Sequence, residues 1–540
     1  MNKIEQSRYW KYLVIAVIVI QVGVIIYWGN QKGGYYWDEF FTFDNAHYAS
    51  SITPDRVKLY DAEFMEYDKW FDLGKLKSTL TVTRENSLFN DSFAYNLNKL
   101  MRGKGYNEVA LNYVETIFFP GKLTKWSAIS LNIILFIINQ ILLYKIAYRM
   151  TEKKNTALFA MMLYGFSGMA ISMTVFIRFY MWVTMFFTIF IYFHVLIYQE
   201  DNVWKNLCYV MVAGVALLLS FNQQILVIFA GAGFVGCFSV MLLLRKEYKK
   251  CAYYIIPIVG GGSVYLVFFT SYLKEIFFSD EVGANINNSA TLYYLSKAKD
   301  LNFQEFLSRI CKLLNTVNRY LFGHSLVFCM FCILILCCIV FGLIKSRNKT
   351  EKTTLPALWW VFAGTIVIYG VASLCINISG STRYNSFVFP LIAICVAAFI
   401  FEYGERIVNK KTLTFIVCVL LACQMYYTFT IPRIDSLYRE DKTEVDKIHQ
   451  ISGMDSVVVD YHFDDKVMYE CLAYGEENSK VMFMKSTMID FAECKKQFLL
   501  WQTVNHGLDI EDSLINAGYT QIEEVAQTHE SRIYLCTKTQ

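Results

Sequence analysis

Residues 12–47 read YLVIAVIVIQVGVIIYWGNQKGGYYWDEFFTFDNAH, an apolar run followed by a short aromatic segment that holds two adjacent carboxylates. The apolar run, Tyr12–Trp28, is close to the roughly 20 residues that a helix needs to cross a bilayer. Basic residues precede it and no small-residue cleavage site follows it, so the pattern predicts a retained membrane span. Asp38 and Glu39 follow the run by about ten residues and are therefore expected near a membrane–water interface.

The whole sequence has the composition of a membrane protein. Of its 540 residues, 55% are hydrophobic and 18% are charged, whereas soluble proteins carry about 25% charged residues. The net charge of +4 does not favour a nucleic-acid partner. The apolar runs predict a polytopic α-helical membrane protein with eleven transmembrane helices, near Tyr12–Trp28, Trp126–Tyr148, Thr156–Phe176, Phe179–Tyr198, Leu207–Phe221, Gln224–Leu244, Ala252–Thr270, Phe322–Ile344, Ala357–Ile376, Tyr384–Phe401 and Leu413–Ile431.

The basic residues predict which way the chain crosses the membrane. With a cytoplasmic N-terminus, the N-terminal segment and the five segments between spans on that side, with Lys145 at the end of one span, hold 19 Lys and Arg residues, and each of these segments contains at least one, as the positive-inside rule requires. The three shortest turns on the opposite side hold only Arg178 and Arg383. We therefore expect a multi-pass protein of the cell membrane, with the first loop, 29–125, and the C-terminal segment, 432–540, on the extracytoplasmic side.

The segment 432–540 has the pattern of a small α/β domain attached to a transmembrane domain of residues 1–431. Strand-like runs alternate in it with helix-like runs, and such alternation is typical of mixed α/β structure. The strand-like runs are Val457–Asp460, Val481–Met484 and Ile533–Cys536, and the helix-like runs are Glu493–Gln502 and Ile510–Ala517.

The acidic pair has the chemistry of a general base. Asp38 and Glu39 are surrounded by aromatic residues, and a partly desolvated carboxylate has a raised pKa and a higher basicity. Such a group can take the proton of an acceptor hydroxyl during a transfer reaction. The alternative interpretation is a solvated acidic pair in a loop.

Two arginines have the chemistry of an anion site on the same predicted face. Arg178 lies between Ile177 and Phe179, and Arg383 precedes Tyr384. Arginine suits bidentate binding of phosphate, and a tyrosine hydroxyl can donate to a phosphate oxygen. The alternative interpretation is that each arginine extends to the lipid headgroups.

Taken together, these residues predict a site that holds an anionic lipid headgroup beside a base. A lipid-linked phosphosugar supplies such a headgroup, with its phosphate as the leaving group. No residue spacing requires a metal, although a divalent ion is compatible with the site. Weaker polar candidates are His47, Glu63, Arg84, Glu115, Asn222, Gln223 and His324.

The same residues resemble the motifs of a known group. The pair Asp38-Glu39 after the first span, Arg178-Phe179-Tyr180 at the fourth span, and Arg383-Tyr384 with Pro390 at a late span resemble those of GT-C superfamily membrane glycosyltransferases. Within that superfamily they look like the protein O-mannosyltransferase and aminoarabinose-transferase branch. The resemblance covers roughly residues 1–431; the long first loop and the C-terminal segment do not match its pattern.

The resemblance implies an inverting hexosyl or pentosyl transfer from a polyprenyl-phosphate sugar to an acceptor at the extracytoplasmic face. It implies Asp38 as the base, Glu39 as a residue that orients it or the acceptor, and Arg178, Tyr180, Arg383 and Tyr384 as ligands of the donor phosphate. It requires no cofactor, and it does not identify the sugar or the acceptor.

Three other functions are compatible with parts of the sequence. A transporter or flippase of a lipid-linked glycan is disfavoured, because the notable charges lie at the predicted interface and only six prolines occur. The sequence poorly distinguishes a polysaccharide polymerase or ligase with a diphosphate-linked donor from a polyprenyl-phosphate glycosyltransferase. A non-catalytic membrane scaffold predicts that Asp38→Asn leaves function intact.

Overall fold

The computed structural model describes residues 3–48, 67–85, 87–94, 96, 106–268, 302–347, 355–431, 434–451, 453–460, 465–486, 489–491, 494–505 and 510–538. Several predicted features extend beyond these residues. They include the end of the seventh predicted span, most of the loop after it, the start of the 432–540 segment and the weak candidate Glu63.

Helices make up most of the described chain. They are α1 (Lys3–Asn30), α2 (Trp37–Tyr48), α3 (Leu73–Lys77), α4 (Tyr106–Phe118), α5 (Lys125–Thr151), α6 (Lys154–Gly165), α7 (Gly168–Val175), α8 (Tyr180–Gln199), α9 (Val203–Gln223), α10 (Val227–Leu244), α11 (Tyr248–Phe268), α12 (Phe303–Val317), α13 (Ser325–Arg347), α14 (Ala357–Cys375), α15 (Thr382–Asn385), α16 (Phe389–Ile407), α17 (Lys410–Thr430), α18 (Arg439–Gln450), α19 (Asp465–Tyr474) and α20 (Glu511–Asn516).

The helices make this a multi-pass membrane protein. Within the described residues, eight helices are long and apolar enough to cross a membrane, or ten if each of two bent pairs forms one span. The bent pairs are α6 with α7, at 55°, and Phe303–Phe322 with Ser325–Val340, at 97°. Ten of the eleven predicted spans coincide with these candidates. The remaining one is helix α11, which contains Pro257 and is not among the candidate spans.

The chain forms two compact units. One unit comprises residues 1–25, 132–174 and 179–435 and is helical. The other comprises residues 26–131, 175–178 and 436–540 and contains a six-stranded sheet. The predicted first loop and C-terminal segment therefore belong largely to one unit, although they are far apart in sequence.

The sheet of the second unit has the strand order β1-β3-β2-β4-β6-β5. Its strands are β1 (Trp70–Asp72), β2 (Asp455–Asp460), β3 (Lys480–Lys485), β4 (Gln497–Thr503), β5 (Tyr519–Gln527) and β6 (Ser531–Lys538). β2 pairs in parallel with β3 and β4, and the other pairs are antiparallel. The first loop supplies β1, which pairs with β3 at the edge of the sheet.

The prediction for the C-terminal segment is right about its α/β character and wrong about one element. The strands predicted at 457–460, 481–484 and 533–536 all form, and so does the helix predicted at 510–517. The run 493–502 was predicted as helical, but its second half is strand β4, whose residues Phe498–Thr503 are buried. β4 lies between β2 and β6, and a strand buried on both faces lacks the alternating pattern that identifies a strand from sequence.

Candidate active site

The acidic pair lies at the beginning of α2 in the sheet-containing unit. Asp38 and Glu39 occupy the first turn of this helix, where carboxylates interact favourably with the unpaired N–H groups and the positive end of the helix dipole. Asp38 is partly exposed, whereas Glu39 is completely buried. The two neighbouring carboxylates therefore have different environments.

Glu39 is held in a buried ion pair with Lys32. The Lys32 ammonium donates to Glu39 Oε2 at 2.8 Å and to the Ser436 carbonyl at 2.6 Å, and neither side chain of the pair is exposed. The Tyr36 N–H also donates to Glu39 Oε2, at 2.7 Å. Burial lowers the pKa of Lys32 and raises the pKa of Glu39, and in each case the charge of the partner opposes the shift.

The second oxygen of Glu39 fixes the segment that carries Arg178. The backbone N–H of Ile177 donates to Glu39 Oε1 at 2.7 Å. The neighbouring Arg178 is partly exposed and donates through Nη1 to the Asp38 carbonyl at 3.0 Å and to Thr42 Oγ1 at 3.3 Å. The structure thus brings Asp38, Glu39 and Arg178 together, with Glu39 in a structural position between the two chain segments.

Glu108 on α4 is an acidic residue near this group that the sequence did not single out. It is buried, and burial raises its pKa to about 6, while the positive charge of Arg178 lowers it. Glu108 and Arg178 therefore interact electrostatically, and the ionised form of the carboxylate is the one that the arginine favours. Its only sequence signal is a Glu in the first turn of an amphipathic helix, which is common on protein surfaces.

The other predicted phosphate ligands belong to the helical unit. Tyr180 is buried at the beginning of α8. Arg383 and Tyr384 lie in the short helix α15, where the guanidinium of Arg383 is 5.9 Å from the centre of the Tyr384 ring. The Tyr369 hydroxyl donates to the Tyr384 carbonyl at 2.6 Å, which ties this turn to α14.

Asp435 anchors the chain next to Arg383, although no local motif marks this residue in the sequence. Its carboxylate accepts the Tyr320 hydroxyl at 2.7 Å and the Thr382 hydroxyl at 3.1 Å, and its N–H donates to Ser172 Oγ at 3.0 Å. Residues from four separate regions of the helical unit meet here. The contact fixes the position of Thr382, the residue immediately before Arg383.

Two of the weaker candidates have clear structural contacts. His47 Nδ1 is 2.6 Å from the Thr81 carbonyl. Glu115 is buried on α4, and its Oε1 is 2.9 Å from the Ser127 hydroxyl. Burial raises the pKa of Glu115 to about 8.

Two structures of ArnT from Cupriavidus metallidurans are similar to this chain over nearly its full length. The structure bound to undecaprenyl phosphate has a TM-score of 0.50 and 10% sequence identity, and the match covers 97% of this chain and 98% of ArnT. The apo structure has a TM-score of 0.51 and 10% identity, and the match covers 98% of each chain. The oligosaccharyltransferase AglB from Archaeoglobus fulgidus matches with a TM-score of 0.44 and 10% identity, over 88% of this chain and 65% of AglB.

No family model matches the sequence, and no curated protein matches it. The ArnT similarity, at 10% identity, concerns the fold. It agrees with the predicted polytopic helical membrane protein with a C-terminal α/β segment, which the helices and the sheet of this chain confirm.

Proposed function

We propose that this protein transfers a hexosyl or pentosyl group from a polyprenyl-phosphate donor to an acceptor hydroxyl at the extracytoplasmic face of the cell membrane. The observation that carries the proposal is the contact between Arg178 and the first turn of α2. The Arg178 guanidinium donates to the Asp38 carbonyl, and both residues are partly exposed. This proximity of an acidic residue and an arginine supports a base beside a ligand for the donor phosphate.

The proposed reaction is a single displacement. Asp38 accepts the proton of the acceptor hydroxyl while the hydroxyl oxygen attacks the anomeric carbon. The bond from that carbon to the phosphate oxygen breaks, and the configuration inverts. Polyprenyl phosphate leaves with the bonding electrons, and Arg178 stabilises the charge that develops on it.

Glu39 and Lys32 are positioning residues in this proposal. Because Glu39 accepts bonds from Lys32, Tyr36 and Ile177, it holds the Arg178 segment against α2 and is not itself placed to exchange a proton with solvent. For Tyr180, Arg383 and Tyr384 the donor-phosphate function stays a prediction, supported by residue chemistry and by the motif resemblance. Asp435 contributes to this predicted function indirectly, because it accepts a hydrogen bond from Thr382 and so fixes the residue that precedes Arg383.

The orientation of the chain is part of the proposal. The distribution of Lys and Arg supports a cytoplasmic N-terminus and an extracytoplasmic segment 432–540. Labelling of intact cells with a membrane-impermeant thiol reagent tests it, after a single cysteine is introduced at Glu85 or at Lys410 in a background without accessible cysteines. Labelling at residue 85 and not at 410 is expected; the reverse pattern overturns the orientation.

Donor turnover tests the reaction. Purified protein in detergent is incubated with polyprenyl-phosphate or polyprenyl-diphosphate sugars and a cell-envelope acceptor extract, and the released polyprenyl phosphate or diphosphate is quantified. We expect release by the wild type and a loss of about 10²–10⁴-fold in Asp38→Asn, since that is the usual contribution of a general base. Glu85→Gln is the matched control, because it removes an exposed carboxylate from the same loop without touching α2.

Each outcome separates the hypotheses. Equal release by wild type and Asp38→Asn moves the base to another residue. Release only from a diphosphate-linked donor supports the polymerase or ligase alternative. No release from any donor by folded protein supports the transporter, because detergent solution leaves it no compartments to transport between.

A further inference from the structure

Three side chains of the sheet-containing unit converge at a point that the proposed reaction does not use. They are Asp441 on α18, Glu470 on α19 and His529 in the turn between β5 and β6. One ligand atom from each lies within 4.8 Å of the other two. Asp441 and His529 are 88 residues apart in sequence, so no local motif marks the group.

The two carboxylates are oriented by their own hydrogen bonds. Asp441 Oδ1 accepts the backbone N–H of His529 at 3.1 Å. Glu470 Oε2 accepts the hydroxyls of Thr528 and of Ser531, the latter at 2.6 Å. Each carboxylate thus uses one oxygen for a protein donor and directs the other, Asp441 Oδ2 or Glu470 Oε1, toward His529 Nδ1, at 2.5 Å and 3.2 Å.

When both carboxylates of this group are ionised, their negative charge exceeds what His529 can neutralise. Asp441 and Glu470 are buried, with side chains 5% and 1% exposed. Even a protonated His529 neutralises only one of them, and the nearby ammonium of Lys32 is already paired with Glu39. Glu470 Oε1 is buried and accepts no hydrogen bond within the described structure. A divalent cation bound by two carboxylates and a neutral imidazole removes the net charge, and an uncompensated buried charge is costly.

We propose that Asp441, Glu470 and His529 form a zinc site in the sheet-containing unit. One imidazole nitrogen and two carboxylate oxygens are a donor set that Zn²⁺ uses, whereas Mg²⁺ and Ca²⁺ prefer oxygen ligands alone. Ligand atoms around a tetrahedral zinc ion are roughly 3.3 Å apart. The Nδ1 to Glu470 distance fits this value, and Asp441 Oδ2 has to move away by under about 1 Å. The hydroxyls of Thr528 and Ser531 supply the outer hydrogen bonds that orient ligands in such sites.

The site also explains why Gly34 is a glycine. A Cβ at position 34 would lie 2.3 Å from Asp441 Oδ2, so any side chain there would displace a zinc ligand. The ring of Tyr438, which stacks on His529 at 3.9 Å, also lies parallel to Tyr36 at 6.4 Å. The ion therefore joins α18, α19 and the β5–β6 turn beside the loop that leads into α2.

Zinc binding by the full-length protein in detergent tests the proposal without any assay of activity. The protein is stripped with EDTA, exposed to Zn²⁺ with Mg²⁺ and Ca²⁺ in parallel, and analysed for bound metal and for the temperature of unfolding by tryptophan fluorescence. We expect one Zn²⁺ per chain and a higher unfolding temperature with zinc alone. His529→Gln and Asp441→Asn should lose the bound zinc and the stabilisation by zinc. His449→Gln, which changes an exposed histidine on the same helix as Asp441, should retain them.

X-ray absorption at the zinc edge covers the case in which a variant fails to fold, because it uses the wild type. The chain has fifteen cysteines, and zinc held by them would show sulfur ligands at about 2.3 Å. A spectrum with nitrogen and oxygen ligands only, including imidazole, supports the site. Sulfur ligands, binding unchanged in His529→Gln, or no bound zinc in the wild type overturns it and leaves a proton-held ion pair.

Discussion

Two buried glutamates of the same structural unit have opposite environments. Glu39 accepts bonds from an ammonium and from two backbone N–H groups. Glu115 has no ion-pair partner among the described residues, and its pKa is lowered only by the Ser127 hydroxyl and the Val82 backbone. Burial raises the pKa of both, but only Glu39 is compensated as an anion. The same side chain at equal burial thus belongs to an ion pair at position 39, whereas at position 115 its hydrogen-bond partners are a hydroxyl and the backbone.

The Ser127 hydroxyl lies between Glu115 and a backbone carbonyl. Ser127 Oγ is 2.9 Å from Glu115 Oε1 and 2.9 Å from the Thr124 carbonyl. A hydroxyl has one hydrogen to donate, so these two oxygens compete for it. Donation to Glu115 favours the ionised carboxylate and lowers its pKa, but burial has the larger and opposite effect.

The largest expected effect comes from breaking the buried ion pair between Lys32 and Glu39. Lys32→Met leaves Glu39 as an uncompensated buried charge, which should destabilise the protein by about 3–5 kcal/mol. The measurement is the unfolding temperature in detergent, with Lys153→Gln as the control. Lys153 pairs with Glu402 and Glu405 at 3.1 and 3.0 Å but is one-third exposed, so its loss should cost about 1 kcal/mol or less.

A second variant separates the effect of the lysine charge on stability from the effect of its packing. Lys32→Met combined with Glu39→Gln removes both charges, and it should recover most of the stability lost by Lys32→Met alone. A double variant as unstable as the single one would mean that packing of the lysine, and not its charge, is the stabilising factor.

The next effect is a pH dependence caused by Glu115. Its pKa in the folded protein, about 8, is above the ordinary value of 4.5. The folded state therefore keeps a proton that the unfolded state loses, and stability falls as the pH rises from about 4.5 to about 8. Glu115→Gln should remove this part of the slope and be more stable than the wild type at pH 9, on the order of 2–4 kcal/mol.

Unfolding temperatures of both proteins from pH 5 to pH 9 check this prediction. The two curves should lie close together at pH 5, diverge progressively as the pH rises, and run parallel above about pH 8. Parallel curves over the whole range would show that Glu115 does not retain its proton in the folded state.

The smallest effect is expected at Ser127, the hydrogen-bond partner of Glu115. Ser127→Ala removes a buried hydroxyl and should cost about 1 kcal/mol. Because the Ser127 hydrogen bond lowers the pKa of Glu115, its loss should also move the pH window of Glu115 upward. A pH window that stays in place in Ser127→Ala would indicate that burial and the Val82 backbone contact set it without Ser127.

Much of the architecture follows from local sequence patterns. Ten of eleven predicted spans coincide with candidate spans, since a bilayer requires long apolar runs and these are visible without any tertiary information. The strands β2, β3 and β6 were likewise predictable from short β-branched and aromatic runs. β4 was not, because an apolar strand in the middle of a sheet has no alternation, and neither was β1, a three-residue edge strand supplied by the first loop.

The candidate site was only partly predictable for a related reason. Sequence alone is sufficient to identify the membrane spans, the adjacent carboxylates Asp38 and Glu39, and the arginines at short turns, because each is a local property of composition or spacing. Only folding brings Glu39 to Lys32 and Arg178 to Asp38, and only folding makes Asp441, Glu470 and His529 converge. Partners and burial set the charge and accessibility of an ionisable side chain, and both are brought about by residues that are distant in the chain.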